Sequence, residues 1–461
     1  MRNLRKERDT LGEVEVEAGA LYGAQTARAL ANFPISGWKM PEMFLASLVL
    51  IKKAYAIANA QAGLLSENVS RAIVLACDQV LKGQLWEQFP VDVFQTGSGT
   101  STNMNVNEVL AHLASEALTG QGKTGASVHP NDHVNLGQSS NDTVPSAARL
   151  MALEQCLKFL LPAVRQVVAT LDTLARRYTR TVTLGRTHLV DAVPTTYGRV
   201  FSAWQERLTA ALSRVEREAL NSQRLPLGGT ALGSGLGGHV QASLKACALL
   251  QEWTGFDLKL MANPSVGIQA WDDLLALAES LAHLARVLLA VSQDLRWRAS
   301  GPYGGLGELL LPAVQPGSSL MPGKVNPVIP EAVAQVCLQV AGLAHACALS
   351  TSLAQLDLFH GGPLVVWNVH TMIKLMERGC LVLVERCLSG LSVNEERCRQ
   401  LASRSPALAT ALAASLGYEQ AAAVVRLAQE RSLSLVEAGR QLGVPERALA
   451  ALQDLESLAG L

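Results

Sequence analysis

Charge is scarce in this chain. Of 461 residues, 39 are Lys or Arg and 39 are Asp or Glu, so charged side chains make up 17% and cancel to a formal net charge of zero. That balance excludes the basic footprint of a nucleic-acid-binding protein or of one drawn to an anionic membrane surface. It also lies below the roughly 25% of charged residues in an average soluble domain, while hydrophobic residues reach 49%. So little charged surface predicts subunits that bury part of it against one another. Uninterrupted apolar runs are missing as well. Stretches such as Val328 to Leu349 are broken by Glu331, Gln335, Gln339 and His345, short of the roughly 18 apolar residues of a membrane span. The basic start, Met1 to Asp9, is followed by no apolar segment of signal-peptide length. Neither a membrane partner nor secretion is expected, and the expected location is cytoplasmic.

Cysteine pairs at metal or redox spacing are absent too. Cys77, Cys156, Cys247, Cys337, Cys347, Cys380, Cys387 and Cys398 include no C-x-x-C and mostly sit inside apolar helical patterns. They read as reduced core residues. Aromatic residues are only 5% and β-branched runs are short, so Ala and Leu dominate and favour helix throughout.

The chain is roughly three domain lengths long. Apolar positions recur at helical spacing in about 44–64, 144–178, 196–220, 270–298, 329–350 and 364–390. Several of these segments are apolar around most of their circumference and must be covered on all sides, which places them in a central bundle shared between subunits. After Val393 the pattern changes to short charged helices, such as Glu395 to Ser403 and Ser434 to Leu442, and reads as a small separate unit.

Gly and polar residues collect at Gln95 to Asn103, His129 to Asp142, Gly228 to Gly238 and Gly301 to Asn326, the candidate functional loops. The most informative is Gly317-Ser318-Ser319-Leu320-Met321-Pro322-Gly323-Lys324-Val325-Asn326-Pro327. Its glycines and prolines prevent a regular element, and Lys324 and Asn326, two apart on extended chain, can offer a cation and an amide to one carboxylate. Pro330 fits the first position of a following helix, with Glu331 in its first turn. Ser98, Thr100 and their neighbours precede an apolar helix-like run, and Ser139-Ser140-Asn141-Asp142 precede another. Both offer hydroxyls and backbone N–H groups to an anion, although each alone reads better as an ordinary helix cap. Two such cradles and one lysine match a small dicarboxylate. Thr187 and His188 follow Gly185-Arg186, and an imidazole there can exchange a proton near neutral pH.

Two other patterns lead nowhere. His129 and His133 are four apart, but Pro130 between them opposes the helix that would align them on a metal, so no metal is expected. The glycines of Gly228 to Gly238 follow no clear strand and open no βαβ unit, so no dinucleotide is expected either.

Taken in this order, the segments resemble the class II fumarase and aspartase superfamily of homotetrameric lyases, most of all the class II fumarate hydratases. The resemblance runs from Leu21-Tyr22-Gly23-Ala24-Gln25-Thr26 to Leu416-Gly417-Tyr418. It implies a mainly α, three-domain fold: an N-terminal lyase domain over 1–138, a central helical-bundle domain over 139–393 shared across the homotetramer, and a small C-terminal helical domain over 394–461. It implies, without any cofactor, a reversible β-elimination from a C4 dicarboxylate to fumarate through an aci-carboxylate intermediate. Ser318 would be the base that takes the carbon-bound proton. His188, paired with Glu331, would help the leaving group depart. Ser98, Thr100, Ser139, Ser140, Asn141, Thr187, Ser319, Lys324 and Asn326 would bind substrate, with segments contributed by three subunits. His129, Asn131 and Asp132 would form a second anion site.

Malate as substrate is the first reading. Aspartate or another substituted succinate is an alternative, since Pro327-Val328-Ile329-Pro330-Glu331 looks more like aspartases, and a catalytically silent structural paralogue is another. The chain departs from its look-alikes at Gly237 and Phe359, where they carry amides, and at Ala126-Ser127, where fumarases carry a basic residue before the second anion site. Phe359 is expected to make the substrate site less polar.

Overall fold

A computed structural model describes residues 4–120 and 127–461. Strands β1 (Leu4–Asp9) and β2 (Gly12–Glu17) form an antiparallel hairpin. Helices α1 (Ala24–Asn32), α2 (Glu42–Gln61), α3 (Glu67–Leu81), α4 (Thr100–Gly120) and α5 (Ser140–Gln155) follow. A π-helical turn over Cys156–Leu160 links α5 to α6 (Leu161–Arg177), so the periodic run over 144–178 is interrupted by one wide turn that its spacing does not reveal. Strands β3 (Val182–Thr187) and β4 (Val190–Thr196) form a second hairpin. Then come α7 (Tyr197–Asn221), α8 (Val240–Thr254), α9 (Ser265–Gln269), α10 (Asp272–Arg298), α11 (Val328–Ser350) and α12 (Gly362–Arg386). The C-terminal stretch holds α13 (Glu395–Ser403), α14 (Ala409–Leu416), α15 (Tyr418–Arg431), α16 (Leu435–Gln441), α17 (Glu446–Ala451) and α18 (Leu455–Leu458). The fold is mainly α, as expected.

The chain divides into two compact units. The first comprises Met1–Leu161, Ser213–His283 and Gln339–Met376. In it α2 packs against α3, α5 and α8, burying Phe44, Leu48, Ile51 and Tyr55. These helices start where local chemistry starts them. Ser66 accepts from the Val69 N–H to cap α3, and Ser139 with Asp142 forms a reciprocal capping box on α5.

The second unit comprises Pro162–Leu212, Leu284–Leu338 and Glu377–Leu461. Its anchor is Glu308, fully buried, which accepts from the Tyr197 hydroxyl at 2.9 Å and pairs with Arg186 at 2.8 Å and Arg298 at 3.3 Å. Within it, Leu408, Leu412, Ala421, Val424, Ala438 and Leu449 form a local core for the C-terminal helices.

All eight cysteines are buried and free. Among the described residues, three helical stretches, Glu42–Gln61, Asp272–Arg298 and Val328–Leu353, are long and apolar enough to cross a membrane. The interrupting polar residues noted in the sequence therefore exclude less than expected. In the first two, 67% of the apolar window is buried inside the protein, which accounts for its composition, whereas in the third the buried share is 39%.

Candidate active site

In the first unit, the two cradles meet. The Thr96 to Thr100 loop carries Gly97, where an added Cβ would come within 2.2 Å of the His360 carbonyl oxygen. It also carries Gly99, at φ +76°, where one would meet Val144 at 2.8 Å. Side chains at either position would push the loop off its neighbours. Gln95 Oε1 accepts from the Thr102 N–H at 2.9 Å and hydroxyl at 2.8 Å, which steadies the start of α4. Ser98 and Thr100 hydroxyls lie 2.8 Å apart, and Thr100 Oγ1 lies 2.7 Å from Ser140 Oγ. The starts of α4 and α5, each with a dipole favourable for anions, thus converge. Asn141 Nδ2 donates to the Ala231 carbonyl at 2.9 Å, tying the second cradle to the glycine-rich loop.

Beneath the cradles lies a polar network that sequence reasoning missed. Lys52 and Asp142 are both fully buried. Lys52 Nζ donates to Asn135 Oδ1 at 2.8 Å and Gln138 Oε1 at 3.1 Å. Asp142 accepts from the backbone N–H groups of Ser139 (3.0 Å), Thr230 (2.8 Å) and Gly228 (3.2 Å). Burial pushes the Lys52 ammonium down and the Asp142 carboxyl up, each to about 7, and the opposite charge of the other resists the shift. The available signal was the pair Lys52-Lys53 inside the otherwise apolar run Leu48 to Ile57.

In the second unit, Ser318 Oγ accepts two backbone N–H groups, from Leu320 at 3.1 Å and Met321 at 2.9 Å. The loop is closed by the Gly317 N–H on the Lys324 carbonyl at 2.8 Å and by Asn326 Nδ2 on the Gly317 carbonyl at 2.7 Å. Asn326 therefore spends a donor on loop closure, a use that extended-chain spacing did not suggest. Ser319 and Lys324 are exposed, and the Lys324 ammonium has no hydrogen-bond partner among the described residues. Lys324 and Asn326 border a cavity of about 1020 Å³ that Arg296, Trp297 and Arg397 also line. Helix α11 begins at Val328, two residues before Pro330; proline is tolerated there because the first N–H groups of a helix lack intrahelical partners.

Thr187 and His188 are exposed at the β3–β4 hairpin. Thr187 pairs with Val190, and the two-residue turn between them is His188 (φ 55°) and Leu189 (φ 62°), the left-handed pair that suits a hairpin's twist. Gly185 permits the register shift at the hairpin base, since a Cβ there would sit 2.4 Å from the Val193 carbonyl oxygen. Within the chain His188 has no partner among the described residues, and Glu331 instead lies 3.7 Å from Arg296.

His129, Asn131 and Asp132 are exposed around a π-helical turn over Pro130–Val134. His129 borders a cavity of about 670 Å³ that Arg5, Arg8, Tyr22, His112 and Ser127 also line. Ala126 lies outside the described residues.

A family profile described as Lyase matches residues 12–342. The class II fumarate hydratase of Nitrosomonas europaea is 42% identical over 443 residues, 96% of each chain. The chain belongs to the fumarase/aspartase family of lyases. Among solved structures, the class II fumarase of Schistosoma mansoni superposes with a TM-score of 0.95 at 34% identity, covering 99% of both chains. A fumarate lyase:delta crystallin from Brucella melitensis gives 0.92 at 39% identity, again over 99% of both.

In this fumarase-family chain the departures at Phe359 and Gly237 differ in kind. Phe359 is 1% exposed, its ring 5.3 Å from that of Trp271 and covering Gly361. It fills the core and does not present apolar surface to substrate as expected. Gly237, at φ +81°, has open space where a side chain would stand.

Proposed function

We propose that the chain is a class II fumarate hydratase, a carbon–oxygen lyase interconverting malate and fumarate. The observation that carries this reading is the 2.7 Å contact between Thr100 and Ser140, which brings two helix starts and their neutral donors to one spot suited to a small dicarboxylate. Ser98, Ser139, Asn141 and Thr187 extend that donor set. Ser318, as alkoxide, takes a proton from the carbon beside one carboxylate. The electron pair moves into that carboxylate as an aci-carboxylate dianion, which Ser319, Lys324 and Asn326 stabilise where the charge develops. The pair then returns to form the double bond as the carbon–oxygen bond breaks. His188, oriented by Glu331, delivers a proton so that hydroxide leaves as water.

The working form is a homotetramer with sites shared between subunits. The support is α11, whose apolar surface stays largely uncovered within one chain: Leu338 is 61% exposed and Leu349 62%. A second copy of the chain is the occupant that would bury it, and the pairing of His188 with Glu331 would form across that interface. The division into domains over 1–138, 139–393 and 394–461 belongs to the same reading, with the C-terminal local core as support. So does a cytoplasmic location, which suits eight free buried thiols. His129, Asn131 and Asp132 form a second anion site in which Arg8, lining the same cavity as His129, supplies positive charge.

Ultraviolet absorbance of fumarate, followed with malate and separately with aspartate, tests the assignment. Turnover of malate is expected. Turnover of aspartate alone would reassign the leaving group to ammonia, and turnover of neither would overturn the proposal.

A further inference from the structure

We infer that Lys52 is a positioning residue for dicarboxylate binding: its buried ammonium locks the starts of α4 and α5 into one arrangement, so that Thr100 and Ser139 to Asn141 face a common ligand. The inference rests on the assigned site and adds to it a residue that touches no substrate.

The geometry is a single knot. Asn135 Oδ1 receives Lys52 Nζ at 2.8 Å and also the amides of Asn103 and Asn107, both on α4, at 3.2 Å each. Gln138 Oε1 receives the same ammonium at 3.1 Å, one residue before the Ser139 cap of α5. Thr143 on α5 reaches Asn103 Oδ1 at 3.4 Å. On the far side Asp142 holds the Gly228 and Thr230 N–H groups, and Asn141 holds Ala231, so the same knot extends to the glycine-rich loop. A carboxamide network alone has no centre. One cation with three donors supplies it, because charge-assisted hydrogen bonds are shorter and stronger than neutral ones. Nothing in the elimination uses Lys52, and a lysine fully enclosed by α2 and its neighbours is costly unless it organises something.

Two variants of the full-length protein test this. Lys52→Met replaces the ammonium with an apolar side chain of similar length, and Gln138→Met cuts the same link from the part-buried loop. In both, KM for malate and the dissociation constant for succinate, read by calorimetry, should rise about tenfold, with kcat changed less than about threefold. Amide exchange should quicken in peptides spanning 95–107 and 135–145, segments distant in sequence, and remain unchanged in α10. Combining Lys52→Met with Ser140→Ala should raise KM by less than the product of the single effects, the mark of coupled positions.

Unchanged KM and succinate binding would overturn the inference. So would exchange that quickens throughout the chain together with a lowered melting temperature, since that pattern belongs to a plain core residue. If Lys52→Met does not fold, Gln138→Met decides alone. Failure to turn over malate or aspartate would refute the assigned reaction, while succinate binding and exchange would still decide the role of Lys52.

Discussion

Met321 donates its backbone N–H to Ser318 Oγ at 2.9 Å. With the second N–H from Leu320, the oxygen sits where a negative charge would be held by two fixed dipoles that need no rearrangement. Hydrogen bonds that favour the charged form lower a group's pKa, and a serine hydroxyl needs such help to act as a base. Lys324, exposed in the same loop, places a cation on the segment that carries this hydroxyl.

Ser318→Ala should therefore lower kcat by about 10³ to 10⁴, the upper range for a general base, with little change in melting temperature. The loop's closing bonds run through Gly317, Lys324 and Asn326 and survive the substitution. Steady-state kinetics with malate checks it. Near-normal turnover would remove Ser318 from the role of base.

His188→Asn should slow turnover by about 10² to 10⁴ and leave the hairpin intact, because Asn accepts the positive φ that this position demands. Circular dichroism and kcat measured on one preparation separate lost chemistry from lost structure.

Phe359→Asn should destabilise the protein by about 3–5 kcal/mol, as large-to-small core substitutions do, without improving malate binding. Gly237→Asn should fold normally, since its site is open and Asn tolerates its backbone conformation. Denaturant melts and KM values for both variants test the contrast.

Acid should weaken the fold through His370. Burial, with Lys374 nearby, holds its imidazole down at about 4 against an ordinary 6.5, and Gln155 lies at 2.7 Å from its Nδ1. Above pH 6.5 both folded and unfolded forms are neutral and nothing is lost. As pH falls from 6.5 to 4 the unfolded chain binds the proton first, so stability declines by up to about 3 kcal/mol. His370→Gln should flatten that part of the pH–stability curve.

Leu338→Glu with Leu349→Glu should dissociate the assembly. Light scattering is expected to give about four times 49.0 kDa for the parent chain and a smaller mass for the variant.

What could be read from sequence was local. The periodic run over 196–220 became α7 at Tyr197–Asn221, and that over 329–350 became α11, because an apolar face repeats within a few turns. The loop positions were legible for the same reason, since glycine and proline act on their own neighbourhood. The Lys52 knot was not, because its partners lie 83 and 86 residues away. The loop-closing bond of Asn326 was hidden too, because it joins a donor to an acceptor nine residues away, which two-residue spacing does not show. Phe359 misled because only the packed ring of Trp271 reveals which way it points.

The β3–β4 turn sets a limit on how this protein can be engineered. Its two central residues, His188 and Leu189, are both held at positive φ, where Asn-Gly would sit with far less strain. A stability-guided redesign would choose that replacement early and gain thermal tolerance from it. The same exchange would delete the imidazole that the proposed reaction uses, so under that proposal hardiness and catalysis compete for one position at this turn, and a library selected for heat resistance alone is expected to drift toward inert variants.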